Sequence, residues 1–146
     1  MLMSKDPASP ILLDTHIWIW LMTGDKQAGS SKLLALITEK AKHSAIRISV
    51  ISVWEIGMLE SKGRIVLPYS CLEWVQKALQ APGFGLENLT PEIAVQSSRL
   101  PGVFHGDPAD RILLATAARL RATLVTRDQK ILHYLKKHPL AESFLF

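Results

Sequence analysis

The sequence predicts an α/β fold in which helices cover both faces of a central parallel sheet. Short apolar runs alternate with stretches of helical periodicity along the chain, without repeats or low-complexity tracts. The first run, Ile11 to Asp14, is wholly apolar until it ends in an acid, as is typical of a strand covered on both faces. A chain of 146 residues fits one domain, which we expect at 11–146 behind a flexible tail at 1–10.

Two strands and three helices are expected in the first half of the chain. THIWIWLM begins a helix after the first strand, and IRISVIS predicts the second strand, which runs into a helix at about 52–61. Between them, SSKLLALITEKAKH predicts an amphipathic helix with serine at its start. The side chains expected on its apolar stripe are Leu33, Leu34, Ile37 and Ala41, and those expected away from it are Lys32, Glu39, Lys40 and Lys42.

Four helices and three strands are expected in the second half. SCLEWVQKALQAPG has helical spacing and stops at its Pro-Gly pair, and FGLENL predicts a weak strand. TPEIAVQSSRL and DPADRILLATAARLR both begin with a capping residue followed by proline, and the second is apolar enough to be a buried helix. ATLV, RDQKILHYLKK and ESFLF then predict a strand, a short helix and an edge strand.

Four aspartates fall where predicted strands end and predicted helices begin. Asp14 ends the first strand, Asp128 lies just past LVT, and Asp107 and Asp110 open the helix before that strand. In open α/β sheets, ligands bind beyond the carboxyl ends of the strands. We therefore expect these four side chains at one edge of the sheet.

Glu55 is a fifth carboxylate, and its position is unusual. The residues three and four positions away from it on the predicted helix are Ile51, Ser52, Met58 and Leu59, so it lies on an apolar stripe. A carboxylate there is costly unless a cation, a metal or hydrogen-bond donors meet it. We therefore interpret Glu55 as functional.

Helix capping is the competing explanation for the aspartates. Asp107 at the N-cap, Pro108 at the first position and Asp110 at the third would satisfy free N–H groups and the helix dipole without any catalysis. Asp14 and Asp128 each precede a helix in the same way. The spacing alone leaves both explanations open.

A cluster of these carboxylates would need a cation. Two like charges about 4 Å apart repel by roughly 4 kcal/mol at an effective dielectric near 20. Oxygen donors without a persuasive histidine or cysteine ligand spacing suit Mg²⁺ or Mn²⁺. The implied chemistry is metal-assisted hydrolysis of a phosphodiester, in which the metal activates a water and neutralises charge on the phosphate.

The charge distribution favours a polyanionic partner. The chain has 17 Lys and Arg against 13 Asp and Glu, so that with five carboxylates in a pocket the remainder carries nine net positive charges. Arg111 and Arg127 are candidate phosphate contacts, although a scattered basic residue is usually only solvated.

The composition also indicates the compartment. Cys71 stands alone, which excludes an internal disulfide and fits a reducing compartment, so that we expect a cytoplasmic protein. THIWIWLMTG is about half the roughly 20 residues that a membrane-spanning helix needs, and MLMSKDPASP lacks the apolar core of a secretory signal.

Four separated motifs carry a family resemblance. ILLDTHIWIW, ISVISVWEIGMLESKGRIVLP, HGDPADRILLATA and LVTRDQKI resemble, in order and spacing, the PIN-domain ribonucleases and specifically the VapC toxins of toxin-antitoxin pairs. The resemblance runs from about Ile11 to Lys130, with Ala109 where the family has a bulkier residue. It implies an α/β/α sandwich and a Mg²⁺- or Mn²⁺-dependent endoribonuclease that restrains translation until a VapB-type antitoxin masks it.

The resemblance also assigns roles to residues. By motif, the catalytic acids are Asp14, Glu55, Asp110 and Asp128. The implied metal ligands are three of these, Asp14, Asp110 and Asp128, with Asp107 a further candidate in the same motif, and Thr126 is expected to support the site through its hydroxyl.

Partners follow from the same resemblance. Such toxins are generally homodimers with an apolar groove for the antitoxin, in addition to their RNA substrate. Trp18, Trp20, Leu21 and Met22 are candidates to line that groove, although aromatic residues at this spacing are more often core.

Three other functions are alternatives to a ribonuclease. A receiver-like phosphoacceptor domain needs an acid pair after its first strand, where this chain has DTH, and a haloacid-type phosphatase needs an Asp where His16 stands. A non-catalytic RNA-binding or interaction module on the same fold, with its acids acting only as caps, stays open, and metal uptake would discriminate it. P-loop, GxGxxG, GxSxG and HExxH motifs are missing from the sequence.

Overall fold

Five parallel strands form one sheet in a computed structural model that describes residues 6–104 and 106–146. The strands are β1 (Ile11–Leu13), β2 (Ile46–Ser49), β3 (Phe84–Glu87), β4 (Thr123–Val125) and β5 (Ser143–Phe144). Their order in the sheet is β3-β2-β1-β4-β5. The helices are α1 (Thr15–Thr23), α2 (Ser31–Lys42), α3 (Val50–Ser61), α4 (Cys71–Leu79), α5 (Pro91–Ser97), α6 (Pro108–Leu120) and α7 (Gln129–Lys137). A 3₁₀ turn, Lys26–Ala28, joins α1 to α2.

Two apolar cores lie on opposite faces of the sheet, which confirms the predicted α/β/α layers. In β1, Ile11 and Leu13 belong to one core and Leu12 to the other, so every residue of the strand is buried. Trp18 and Trp74 join the first core from α1 and α4, whereas α5, α6 and α7 cover the other face. Burial on both faces explains why this strand has no polar residue.

The order of the strands determines where the carboxylates meet. The chain passes from β1 to β2 and β3 on one side and then returns to β4 and β5 on the other. Leu13 pairs with Val125, so that the residues after β1 and β4 are neighbours at the carboxyl edge. This reversal of strand order is where open α/β sheets form ligand clefts.

Two helix starts carry the predicted capping chemistry. The hydroxyl of Thr90 accepts from the N–H of Ile93 at 3.2 Å, and Asp107 accepts from the N–H of Asp110 at 2.9 Å. A proline occupies the first turn of both helices. Helix α6 is buried along Leu113–Ala117, as its apolar sequence predicts.

Strand β2 is shorter than predicted, because a serine ends it. IRISVIS favours a strand through its β-branched residues, but the Ser49 hydroxyl accepts from the N–H of Ile51 at 3.1 Å and Val50 already begins α3. The local cap therefore outweighs the strand propensity of Val50 and Ile51. RIVLP forms no regular element, and Val66 within it is 90% exposed.

The predicted inner face of α2 was wrong in part. Leu34 is 45% exposed, whereas Leu36 and Lys40 are buried beside Leu33. Lys40 Nζ donates to the carbonyl oxygens of Ser9 at 2.6 Å and of Asp6 at 3.3 Å. Residues 1–5 of the predicted tail lie outside the described residues, and its flexibility stays a prediction.

Candidate active site at the carboxyl edge of the sheet

Asp14 is held across the junction between β1 and β4. Its N–H donates to the carbonyl of Val125 at 2.9 Å, and its Oδ2 accepts from the Thr126 hydroxyl at 2.6 Å. Asp14 occupies the N-cap position of α1, yet its side chain makes no capping hydrogen bond. The capping explanation therefore does not account for this buried carboxylate, and Thr126 contacts the acid it was expected to support.

Glu55 meets hydroxyl groups rather than a cation. The Thr15 hydroxyl donates to Glu55 Oε1 at 2.5 Å and also forms a hydrogen bond with the Ser52 hydroxyl at 2.7 Å. Thr15 is the first residue of α1 and Ser52 lies in the first turn of α3, so these contacts join the two helices next to Asp14. The predicted need for donors at Glu55 is met by Thr15.

Asp107 and Asp128 both act as helix caps. Asp107 Oδ1 accepts from the N–H of Asp110, and Asp128 Oδ1 accepts from the N–H groups of Lys130 at 2.8 Å and Ile131 at 3.1 Å. The capping explanation is thus correct for these two acids. It does not exclude a second role, because each capping bond uses only Oδ1.

Asp110 is a strongly perturbed carboxylate of the cluster. Burial and, in order of size, the charges of Asp107, Asp14, Asp128 and Glu55 together raise its pKa from the ordinary value of 3.8 to about 7. The other four predicted carboxylates are therefore close enough for their charges to act on Asp110. A titratable group with this perturbation in a cleft is typical of a functional site.

Two further carboxylates hold their protons more tightly than usual. Burial raises the pKa of Asp14 against the Thr126 hydrogen bond, which lowers it. Burial likewise raises the pKa of Glu55, and the charges of Asp14 and Asp107 add to that rise. Both shifts mean that the fold disfavours the charged forms of these two acids.

Two clefts open beside the acids. The acidic cleft, about 650 Å³, is lined by Gly106, Asp107, Asp110, Asp128, Gln129 and Lys130. The aromatic cleft, about 250 Å³, is lined by Asp14, His16, Ile17, Trp20, Arg127 and Asp128. Asp128 borders both, so that the two clefts adjoin at this side chain.

The donor chemistry of the cluster suits a hard divalent cation, but the side chains do not form a complete metal cage. All five side chains offer oxygen, the donor that Mg²⁺ and Mn²⁺ prefer. Among residues 6–104 and 106–146, however, no three His, Cys, Asp or Glu side chains are grouped closely enough to hold an ion. Mg²⁺ usually binds through one or two carboxylates and keeps its other ligands as water, and this arrangement permits only that mode.

The two candidate phosphate contacts differ in their surroundings. Arg111 donates through Nε to the carbonyl of Ser97 at 2.9 Å and through Nη1 to that of Phe104 at 2.8 Å. These bonds hold the α5–α6 connection and favour a structural role for Arg111. Arg127 is exposed at the aromatic cleft beside Asp128.

Sequence reasoning did not identify Thr15 as a site residue. Its hydroxyl is fully buried and bonds Glu55 across 40 positions of sequence. One sequence signal was available, because Thr15 directly follows Asp14 in LLDTH. Ser52 carried a similar signal, since it lies three residues before Glu55 on the same helix face.

Comparisons with known proteins agree with this architecture. The family model described as PIN domain matches residues 11–137. Ribonuclease VapC22 of Mycobacterium tuberculosis is 31% identical over 130 residues, which cover 88% of this chain and 93% of that protein.

Two solved structures share the fold. A toxin-antitoxin complex from Klebsiella pneumoniae matches with a TM-score of 0.56 and 24% identity, and VapBC2 from Rickettsia felis bound to a promoter DNA fragment matches with 0.65 and 16%. Each match covers 92% of this chain and 96% of the other. With the domain match and the 31% identical relative, they show that this chain belongs to the PIN-domain family, among its VapC-type members.

Proposed function

We propose that the protein is an endoribonuclease that hydrolyses RNA phosphodiester bonds with Mg²⁺ or Mn²⁺ and serves as the toxin of a VapBC-type pair, restraining translation and growth. The observation that carries the proposal is the crowding of five carboxylates at the β1–β4 junction, with the pKa of Asp110 raised to about 7. The 31% identical relative bears the name ribonuclease, which agrees with this chemistry.

The chain's own groups have distinct tasks in this mechanism. A bound Mg²⁺ or Mn²⁺ would supply an attacking water of lowered pKa and countercharge for the scissile phosphate. Asp14, Asp110 and Asp128 are the residues that would hold the ion, with Asp107 a further candidate. Thr126 and Thr15 orient the carboxylates of Asp14 and Glu55 through their hydroxyl groups.

The basic surface completes the proposal. With the five acids in the site, the rest of the chain carries seventeen basic against eight acidic groups, so a polyanion is attracted while the pocket keeps its affinity for a cation.

An antitoxin of VapB type is the proposed protein partner, since both solved structures named above are toxin-antitoxin complexes. The groove suggested by sequence needs one correction, because Trp18 is fully buried in the core and is closed to any partner. Trp20, Leu21 and Met22 are half-buried, and a homodimer remains part of the proposal.

Two of the three alternative functions, the receiver domain and the non-catalytic module, fit the geometry less well. Receiver domains use the strand order 2-1-3-4-5, whereas this sheet runs 3-2-1-4-5. A module whose acids only cap helices accounts for Asp107 and Asp128 but not for Asp14 or Glu55, which make no caps.

RNA cleavage by paired variants tests the proposal. Asp14→Asn keeps the shape of the side chain but removes its charge, and we expect cleavage in Mg²⁺ to fall by about 100-fold, the order expected when one group that stabilises a transition state is lost. Asp25→Asn, which changes a capping Asp away from the cluster, is the matched control and should cleave like wild type. Full activity of Asp14→Asn, or equal wild-type activity in EDTA, would contradict the proposal.

The described residues include no helix long and apolar enough to cross a membrane. We place the protein in the cytoplasm as part of the proposal, where its RNA substrate is present.

A further inference from the structure

The aromatic cleft carries features that the hydrolysis of a phosphodiester does not require. Asp14 and Asp128 form its acidic side, where the proposed chemistry occurs. The remaining polar and aromatic lining consists of His16 and Trp20 from α1 and Arg127 from the connection after β4. An acid site needs no aromatic rings beside it, so these side chains call for a separate explanation.

His16 and Trp20 present two ring faces at this cleft. They lie one helical turn apart on α1, and their ring centroids are 6.0 Å apart with planes tilted by 55°. Trp20 is half-buried and packs against the sheet core, which fixes its ring, whereas His16 is exposed. A fixed indole with an accessible face is a low-entropy surface on which a nucleobase stacks.

Arg127 places a cation at the other side of the same cleft. Its guanidinium lies 4.4 Å from the ring centroid of Phe146, and its Nη2 donates to the backbone carbonyl of Phe146 at 3.3 Å. Phe146 is itself stacked on Phe144 of β5, with centroids 6.0 Å apart. The sheet edge therefore holds the guanidinium in place.

The acids beside Arg127 do not neutralise its charge through an ion pair. Within the part of the chain that the structure describes, the ion pairs join other residues, and none joins Arg127 to Asp14 or Asp128. An arginine that borders carboxylates without pairing with them is available to a phosphate, which its planar guanidinium binds through two hydrogen bonds.

We propose that the aromatic cleft is a nucleotide subsite for single-stranded RNA next to the scissile phosphate. One base stacks on Trp20 with His16 at its edge, Arg127 binds the adjoining phosphate, and Phe146 is a positioning residue that acts through Arg127. This inference rests on the proposed function. Stacking accepts every base, so the subsite fixes the strand near the acids without reading its sequence.

The stacking part is tested by RNA binding in EDTA, which separates binding from cleavage. The probe is a fluorescently labelled single-stranded RNA oligonucleotide, followed by anisotropy. Trp20→Leu is expected to weaken binding by about tenfold, and Trp20→Phe, which keeps an aromatic face, by much less. Trp54→Leu is the matched control, because Trp54 is 56% exposed on α3 and should bind RNA like wild type.

A second measurement distinguishes the loss of RNA binding from the loss of folding. The indole N–H signal of Trp20 in the wild-type NMR spectrum should shift on adding the oligonucleotide, while that of Trp54 stays in place. Wild-type affinity of a folded Trp20→Leu variant would overturn the subsite, and so would an equal loss in Trp54→Leu or an unmoved Trp20 signal.

The arginine part is tested by the salt dependence of the same binding. Each phosphate contact contributes about 0.7 to the slope of log affinity against log salt for a single strand, so Arg127→Gln should lower the slope by about that amount. Arg121→Gln, at the opposite edge of the sheet, should leave the slope unchanged. An unaltered slope in Arg127→Gln would remove Arg127 from the subsite.

A double-mutant cycle tests the positioning role of Phe146. Phe146→Leu alone should weaken RNA binding, whereas Phe146→Tyr, which keeps an aromatic ring, should bind RNA like wild type. In the Arg127→Gln background, Phe146→Leu should cause no further loss of affinity. Additive losses would overturn the role of Phe146. If the variants change RNA binding as expected but the wild-type protein never cleaves RNA, the proposed nuclease function fails and the subsite stands. If the wild-type protein cleaves RNA but the variants do not change RNA binding, the subsite fails and the nuclease function stands.

Discussion

At the level of single residues, Asp14 owes its orientation to one hydroxyl group. Thr126 donates to Asp14 Oδ2 at 2.6 Å and its oxygen accepts from the N–H of Asp128 at 3.0 Å, so that one side chain links two acids. Both Asp14 and Thr126 are buried, where a lost hydrogen bond is not replaced by water.

Thr126→Val should impair both stability and the site. The substitution leaves buried polar groups without a partner, at a cost of about 1–3 kcal/mol in the free energy of unfolding. Because the Thr126 hydrogen bond lowers the pKa of Asp14, its loss should raise that pKa and shift the onset of RNA cleavage to higher pH. Urea unfolding and a pH profile of cleavage measure these effects.

Thr116→Val is the control for that variant. Thr116 is equally buried, and its hydroxyl donates only to the carbonyl of Ile112 within α6. We expect the cleavage profile of Thr116→Val to match that of wild type; the same shift in both variants would show that Thr126 acts through general stability.

Two substitutions of Asp107 distinguish its role as a helix cap from the effect of its charge. Asn caps a helix about as well as Asp, so Asp107→Asn should keep the stability of the protein, whereas Asp107→Ala should lose about 1 kcal/mol. After burial, the charge of Asp107 is the largest cause of the raised pKa of Asp110. Both substitutions should therefore lower the pKa of Asp110 in an NMR titration of the carboxyl carbons, and an unchanged pKa would contradict the crowding.

The candidate acids could be predicted from sequence, but their hydrogen-bond partners could not. Asp14 and Asp128 follow recognisable strands, and Glu55 interrupts an apolar stripe, so residue type and spacing marked them as candidates, while their roles came from the family resemblance. Thr15 contacts Glu55 only because α1 and α3 pack together, and a chain position carries no information about that distance.

At the level of elements, helix α2 shows how tertiary contacts override an amphipathic pattern. Periodicity favoured Leu34 as buried and Lys40 as solvated, yet Lys40 is 3% exposed and Leu34 is 45% exposed. Lys40 is buried because the carbonyl groups of Ser9 and Asp6 accept hydrogen bonds from its ammonium group. Those carbonyl groups come from a segment without regular structure, which no periodicity predicts.

Lys40→Met should loosen the segment before β1. Methionine keeps the apolar stem but loses hydrogen bonds from a charged donor, so we expect a loss of about 1.5–3 kcal/mol in the free energy of unfolding. Lys42→Met, which removes an exposed ion pair with Glu39, should change it by less than about 0.5 kcal/mol. Equal stability of the two variants in urea unfolding would contradict the anchoring role of Lys40.

The sheet itself followed from sequence more closely than its boundaries did. Apolar runs such as Ile11–Leu13 must lie between two helical layers, which sets the fold class. The start of α3 was misplaced by two residues because strand propensity and a serine cap compete within IRISVIS, and the side-chain hydrogen bond of Ser49 decides the outcome.

At the level of the whole molecule, the acid cluster should make stability depend on pH. Asp110 binds its proton more tightly in the folded chain, with a pKa of about 7, than in the unfolded chain near 3.8. The raised pKa values of Asp14 and Glu55 act in the same direction. Their contribution is therefore most favourable below the unfolded pKa and is lost as the pH rises through the folded values.

We accordingly expect metal-free protein to lose stability as the pH rises from about 4 to about 7. Urea unfolding across this range in EDTA measures the slope. Asp110→Asn removes one of the three groups with a raised pKa and should give a shallower slope. Identical slopes for the variant and wild type would show that Asp110 is not perturbed.

The central claim is that the crowded carboxylates bind a divalent cation, and calorimetric titration of Mn²⁺ into the metal-free protein at pH 7 tests it most directly. Because Asp110 is partly protonated there, binding should release protons, so the observed heat should change between buffers of different ionisation enthalpy. Asp110→Asn should bind more weakly and release fewer protons. The account predicts saturable binding with proton release in wild type; a titration without binding heat in either buffer, together with an unchanged melting temperature at millimolar Mn²⁺, would contradict it.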